Sequence, residues 1–271
     1  MHHLLSATAA LLLAGVVSTA AQAQTATASF VQPGKLTYGV AATFAPFEFQ
    51  GTDGSLKGFD IDLGEALAAK MGASVAPLNM EFKGLIPALQ GGRIDVINSA
   101  MYINEERAKQ VDFVPYLRVG NEVLVRKGNP AGITGRDDSL CGKKVSVTLG
   151  GIQETYARED NKRCTDAGRP AVTILTFPTA QDSALALRQG RSDAHLDSTP
   201  GAVMLVQKVP DTFQIVGTSF NTDTQIGVAV RKGDAAMRQA IEAALQAVVK
   251  DGTYQTLIKK YDLPQTVALL K

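Results

Sequence analysis

The sequence predicts an α/β fold of two similar lobes, and three observations carry that reading. The chain has 271 residues, 45% of them hydrophobic and 20% charged, enough to bury one large core or two modest ones. A unit of helix end, glycine, Arg-x-Asp and strand start occurs twice, as Ala88-Leu89-Gln90-Gly91-Gly92-Arg93-Ile94-Asp95-Val96 and as Ala186-Leu187-Arg188-Gln189-Gly190-Arg191-Ser192-Asp193-Ala194. Each copy follows an apolar helix, with Leu85, Ile86 and Leu89 in the first and Ala184, Leu185 and Leu187 in the second, and precedes a short strand. Each lobe therefore reads as an open α/β sheet.

The elements follow in order. Leu36, Tyr38 and Val40 alternate as a strand that empties into Thr43-Phe44-Ala45-Pro46-Phe47-Glu48-Phe49, a proline-broken loop rich in aromatics. Asp60 caps a predicted helix whose apolar positions are Leu63, Leu67 and Met71, with Gly72 at its C-terminal end. A strand beginning at Asp95 is expected to end before the polar stretch Asn98-Ser99-Ala100-Met101-Tyr102-Ile103-Asn104. Strand-like runs at residues 122–126, 144–147 and 226–231 end in Lys-Gly or Gly-Gly, and the first and last read as chain crossings between lobes. Helical periodicity spans residues 234–250, stopped by Asp251-Gly252, and an amphipathic helix over residues 253–261 ends before Pro264.

The first 23 residues lack Asp, Glu, Lys and Arg, carry Leu11-Leu12-Leu13 and Val16-Val17, and end in Ala21-Gln22-Ala23. This is the pattern of a secretory signal peptide cleaved before Gln24, and it places the mature protein outside the cytoplasm, soluble and without a lipid anchor. Two cysteines, Cys141 and Cys164, then favour one disulfide over a metal site, with two buried thiols as the alternative. After cleavage His195 is the sole histidine, so no multi-histidine metal site exists and neither metal nor cofactor is expected. A formal charge of +1 provides no basic surface for nucleic acid.

Candidate binding residues lie where an open α/β sheet holds ligands, past the carboxyl ends of its strands. Arg107 could grip a carboxylate through two parallel charge-assisted hydrogen bonds, or pair with Glu105 or Glu106 on the surface. Gly150-Gly151-Ile152 leads into a helix whose first amides suit an anion, unless it is a plain strand-helix turn. Neither G-x-G-x-x-G nor G-x-x-x-x-G-K-[ST] occurs at that loop, so it gives no sign of a nucleotide. Phe44 and Phe82 could offer ring faces or pack in the core. Asp197 and Ser198, which end the second repeat as Ser99 and Ala100 end the first, could meet an ammonium group or face solvent. His195 reads as a structural, hinge-proximal residue.

Several stretches resemble the periplasmic solute-binding proteins of amino-acid ABC importers, the type II, polar-amino-acid group. They are Phe44-Ala45-Pro46-Phe47-Glu48-Phe49, Gly58-Phe59-Asp60-Ile61-Asp62-Leu63, Gly84-Leu85-Ile86-Pro87-Ala88-Leu89, Glu106-Arg107-Ala108-Lys109-Gln110-Val111-Asp112-Phe113, Gly142-Lys143-Lys144-Val145, Gly190-Arg191-Ser192-Asp193-Ala194 and Asp251-Gly252-Thr253-Tyr254. The resemblance implies a type II periplasmic binding protein, each lobe an open, mostly parallel sheet flanked by helices. Lobe 1 would comprise residues 24–115 and 226–271, lobe 2 residues 121–221, and the hinge strands residues 116–120 and 222–225.

The resemblance further implies that Arg107 grips a ligand carboxylate, helped by amides at Gly150, Gly151 and Ile152, while Phe44 and Phe82 flank the side chain. Ser99, Ala100, Tyr102, Asp197 and Ser198 complete the expected binding set. Three positions depart from the family pattern. Tyr102 replaces a small hydroxyl residue, Ser198 stands where an ammonium-binding aspartate is usual with Asp197 one residue early, and Ala41 replaces the acid of basic-amino-acid binders. Gly151 also stands where a hydroxyl residue is common. The implied function is capture of an amino acid or related small carboxylate by a monomer that delivers it to a membrane permease. A non-amino organic acid is the alternative ligand, and a periplasmic cyclohexadienyl or arogenate dehydratase of the same fold is the enzymatic rival.

Overall fold

The computed structural model describes residues 28–270, so the signal peptide and its cleavage point lie outside the described residues. Two five-stranded sheets form the two lobes. The first orders its strands as Ser74–Asn79, Lys35–Val40, Val96–Tyr102, Gln225–Arg231 and Val111–Arg118. The second orders Thr173–Phe177, Lys144–Thr148, Ala194–Ser198, Asn121–Arg126 and Phe213–Phe220. In each, four strands run one way and the fourth in order is inserted antiparallel.

The antiparallel strand is the one the chain lays down immediately after changing lobe. The chain leaves Val111–Arg118 of the first sheet and enters Asn121–Arg126 of the second; it leaves Phe213–Phe220 and returns as Gln225–Arg231. The two crossing segments are paired, with Gln225 opposite Arg118 and the Val119 amide donating to the Thr224 carbonyl at 2.8 Å.

The repeated sequence unit is a repeated structure. Gly92 and Gly190 both adopt positive φ, 69° and 73°, the left-handed conformation that ends a helix cheaply only at glycine. Asp95 and Asp193 then accept the amides of Thr37 and Lys144 from the neighbouring parallel strand, at 2.8 and 2.9 Å. The aspartate in each copy closes the start of one strand onto the start of another, which is why Arg-x-Asp recurs.

Helices cover the sheets. Phe59–Lys70 buries Phe59, Leu63 and Leu67, and Phe59 stacks on Tyr116 with ring centroids 6.0 Å apart. Gly72 follows its end at φ 69°, as expected. Asp60 is not its cap: Gly58 occupies that position, and the Asp60 side chain turns into the core. Cys141 and Cys164 form the disulfide, with Cα atoms 5.5 Å apart. It ties the segment just before strand Lys144–Thr148 to helix Ile152–Asp166.

A second correction concerns residues 98–102. They lie within strand Val96–Tyr102 and are fully buried, because the central strand of a sheet covered on both faces needs no early exit to solvent. The register against Gln225–Arg231 shifts there, so Asn98, Ser99 and Ala100 together oppose Val228. This bulge gives Ala100 a φ of 36° and re-aims the strand as it reaches the cleft.

Candidate functional site

Arg107 sits on the short helical turn Glu105–Ala108, whose cap is the Asn104 side chain accepting the Arg107 amide at 2.8 Å. The turn is locked to the end of Val96–Tyr102, because Nη1 of Arg107 donates to the Tyr102 carbonyl at 2.7 Å. Nη2 reaches the other lobe and donates to the Gly150 carbonyl at 2.9 Å. The guanidinium carbon lies 5.3 Å from the centroid of the Phe82 ring, a cation–π contact. Arg107 is 8% exposed, and burial lowers its pKa to about 10, which leaves it charged at neutral pH. It forms no ion pair with Glu105 or Glu106, so it is not the surface pair that spacing alone allowed.

The facing loop is built from glycine for a steric reason. Gly150 has φ 76°, and a Cβ there would lie 3.3 Å from the Lys83 Cβ of the opposite lobe. Its amide donates to Glu154 at 2.8 Å, and the Gly151 amide donates to Thr148 at 3.0 Å. Neither amide is therefore open to an anion. Those of Ile152 and Gln153 begin helix Ile152–Asp166 and have no intrahelical partner.

Between the lobes lies a small cavity of about 30 Å³. Six of the expected residues line it: Phe44, Phe82, Ala100, Tyr102, Gly151 and Ile152. Ala41, Thr43, Thr148, Gln153 and Ala180 complete the wall; of these only Ala41 drew notice in the sequence. Arg107 and Gly150 line an adjoining groove of about 520 Å³ that shares Phe82 and Gly151 with the cavity.

Ser99, Asp197 and Ser198 are held away from the cavity wall. The Ser99 hydroxyl accepts the Ala41 amide and donates to Glu48, both at 2.9 Å. Ser198 caps helix Thr199–Lys208, its hydroxyl accepting the Gly201 amide at 3.1 Å. Asp197 accepts the Ser198 amide at 2.7 Å and lies 3.5 Å from Nε2 of His195. His195 is 1% exposed, with Nδ1 3.0 Å from the Ser146 carbonyl oxygen, and so serves the second sheet.

Among the described residues no acid lines the cavity, although Glu106 and Glu154 line the adjoining groove that holds Arg107. Glu154, the acid nearest the loop, pairs with Arg158 and accepts the Gly150 amide. A cationic side chain would therefore enter without a counter-charge, at a cost of roughly several kcal/mol. Tyr102 is 2% exposed, its hydroxyl has no hydrogen-bond partner, and burial raises its pKa, so it stands as a neutral phenol. Gln153 spends its amide nitrogen on Asn121 at 2.9 Å. Its Oε1 would lie 3.2 Å from a Cβ built at Gly151, and both residues line the cavity. Among the described residues there is no cluster of metal-ligating side chains, and no helix is long and apolar enough to cross a membrane.

Comparison with known proteins returns one family. The profile of the bacterial extracellular solute-binding proteins, family 3, matches residues 36–264. The L-cystine-binding protein TcyJ of Escherichia coli is 36% identical over 229 residues, covering 84% of this chain and 82% of that protein. An ancestral arginine-binding protein bound to arginine is 40% identical, with a TM-score of 0.78 over 84% of this chain and 98% of that one. An ancestral arginine-binding protein bound to glutamine is also 40% identical, with a TM-score of 0.77 over 85% and 98%.

Proposed function

The chain belongs to the bacterial extracellular solute-binding proteins of family 3, and from that premise we propose that it captures an amino acid with an uncharged side chain in the cleft. The carrying observation is the acid-free cavity flanked by the buried, unpaired cation Arg107. The guanidinium holds the ligand carboxylate, aided by the amides that open helix Ile152–Asp166. Phe44, Phe82 and Ile152 enclose the body. Tyr102 and Gln153 meet whatever polar group lies beside the carboxylate.

The lobes, residues 24–115 with 226–271 and residues 121–221, close over the ligand through hinges at 116–120 and 222–225. Because ligand touches both lobes only when they are shut, binding shifts the population toward closure. The closed monomer presents its surface to the membrane permease of an ABC importer, in the periplasm, after removal of residues 1–23. The arginine, glutamine and cystine of the similar proteins show that identities of this order leave the side chain open. The cavity wall argues for the uncharged members of that range.

A second reading, a carboxylic acid without an amine, is favoured by one observation: Asp197 and Ser198 are both committed within the second lobe. Dehydratase activity is not proposed, because a general acid must reach the leaving hydroxyl and Glu154 and Asp197 are engaged elsewhere. Thermal unfolding of refolded, ligand-stripped protein against amino acids paired with their 2-oxo and desamino analogues tests the reading. A ligand at about 100 times its Kd adds roughly 2.7 kcal/mol, a shift of a few degrees. Midpoint shifts with neutral amino acids alone support the proposal; shifts with arginine or lysine overturn it, and shifts only with the analogues transfer it to the second reading.

A further inference from the structure

Two carboxyl groups lie together beneath the cavity, and no binding role so far described uses them. Glu48 and Asp60 are both fully buried, and adjacent residues of one strand hold them, the Ser99 hydroxyl donating to Glu48 and the Ala100 amide to Asp60, with no cation paired to either among the described residues. Two neighbouring carboxylates buried without a cation repel, and a proton on one of them relieves this. The remaining contacts say which. Asp60 accepts the Tyr116 hydroxyl at 2.7 Å and the Ala100 amide at 2.5 Å, so it is served as an anion. Glu48 accepts only the Ser99 hydroxyl, on Oε1, and its Oε2 has no partner among donors. A proton on Oε2 removes one of two buried charges.

Each member of the pair holds a wall residue of the cleft. Asp60 fixes Ala100 through its amide, at the bulge where φ is 36°, a conformation an alanine keeps only under constraint. Glu48 fixes Ala41 through Ser99, whose hydroxyl accepts the Ala41 amide. Ala41 and Ala100 both line the cavity. Tyr116 extends the network toward the hinge, since it lies in Val111–Arg118 and its carbonyl accepts the Tyr254 hydroxyl at 2.6 Å.

We propose that Glu48 and Asp60 are positioning residues that share one proton and thereby set the cavity wall at Ala41 and Ala100. Loss of that proton puts two carboxylates in contact, breaks the pair and loosens both wall amides as pH rises. The groups facing the pair reinforce this. Tyr38 and Tyr116 are phenols raised by burial and by the same acids. Asp62 and Glu65 on helix Phe59–Lys70 add negative charge toward Tyr38. Lys260, the nearby cation, is taken by Asp62. The inference rests on the ligand-site reading only for its consequence in the cleft, and the pair is tested without ligand.

The experiment is infrared spectroscopy of the folded protein at pH 7, with amide exchange at Ala41 and Ala100 followed by NMR over pH 6 to 9. The expected result is a protonated carboxylic acid band in the wild type that disappears in Glu48→Gln. Glu48→Gln reproduces the protonated geometry, its amide donating to Asp60 and its carbonyl oxygen accepting from Ser99. Its two wall amides should therefore keep the same protection across the range, once corrected for intrinsic exchange, while wild-type protection falls at least tenfold toward pH 9. Asp60→Ala, which removes the acceptor, should lose protection at Ala100 at every pH; if it does not fold, Glu48→Gln alone decides. Absence of the acid band in the wild type, or its survival in Glu48→Gln, overturns the proposal, as does an unchanged pH profile in that variant. A failed ligand panel leaves this result standing, and the converse also holds.

Discussion

Arg107 and Gly150 join the two lobes through a single hydrogen bond, guanidinium Nη2 to carbonyl oxygen, at 2.9 Å. Together with the Nη1 bond to the Tyr102 carbonyl it uses two donors of five and leaves three for a ligand carboxylate. Arg107→Ala is expected to weaken binding of the ligand found by the thermal panel at least tenfold, or about 1.4 kcal/mol. Arg107→Lys should recover part of that loss but not all, since an ammonium cannot make the bidentate contact. Titration calorimetry on the three proteins checks it, and affinity within about threefold in Arg107→Ala would remove the clamp.

Gly150→Ala tests the approach of the lobes. A left-handed φ costs an alanine about 1–2 kcal/mol, and the added methyl meets Lys83 of the other lobe at 3.3 Å. We expect a lower thermal midpoint and, by small-angle scattering with ligand present, a larger radius of gyration than wild type. An unchanged radius would mean that closure does not bring Gly150 and Lys83 together.

Tyr102→Phe separates ligand contact from packing. The hydroxyl is buried with no hydrogen-bond partner, so its removal should leave stability unchanged or slightly raised. If it meets the ligand, affinity should fall about five- to tenfold, the value of one hydrogen bond. Opposite movement of the two quantities in denaturation and calorimetry is the expected signature.

The disulfide is expected to stabilise without touching the cleft. Replacing Cys141 and Cys164 together by serine opens a loop of sequence separation 23 and should cost about 3 kcal/mol in urea unfolding. Ligand affinity should be preserved wherever the variant is folded.

The acid pair also gives stability a pH slope. Burial raises Asp60 from 3.8 to about 6 and lifts Glu48 well above 4.5. From about pH 4 upward, through about 6 for Asp60 and further for Glu48, the native state therefore binds more protons than the unfolded chain. The pair's contribution is complete below that window and declines as pH rises through it, by up to about 1.4 kcal/mol per pH unit for each proton. Exposed carboxylates such as Asp53 and Asp251, pulled down to about 2 by hydrogen bonds from Ser55 and Lys70 respectively, act in the opposite sense. The difference between wild type and Glu48→Gln isolates the pair: urea midpoints should converge or cross as pH rises from 4.5 to 7.5.

What the sequence revealed, and what it hid, follows the range of the interactions. The repeated unit was legible because the helix-ending glycines Gly92 and Gly190 meet a local backbone requirement, although the aspartates' partners, Thr37 and Lys144, lie 58 and 49 residues away. Arg107 and the glycine loop were legible as motifs, yet the bond between them was not, because 43 residues separate its partners. Ser198 carried a readable signal that the ammonium-site expectation overrode: Ser-Thr-Pro before an apolar run marks a helix start, and Ser198 caps that helix. Asp60 looked like a cap for the same local reason, but Tyr116 and Ala100, 56 and 40 residues away, claim it. No periodicity announces Gln153 or Thr148, which reach the cavity only because the two sheets meet there.

The antiparallel insertions carry a consequence for how the molecule is made. All five strands of the second sheet come from one unbroken stretch, residues 121–220, whereas the first sheet lacks its fourth strand until Gln225–Arg231 is present. Until then Val96–Tyr102 and Val111–Arg118 have no common neighbour and offer open edges. During synthesis the second lobe can therefore mature as an autonomous insert while the first waits for the C-terminal sixth of the chain. A truncation after residue 221 should yield one finished lobe and one aggregation-prone half, detectable as a protease-resistant core that begins near Asn121.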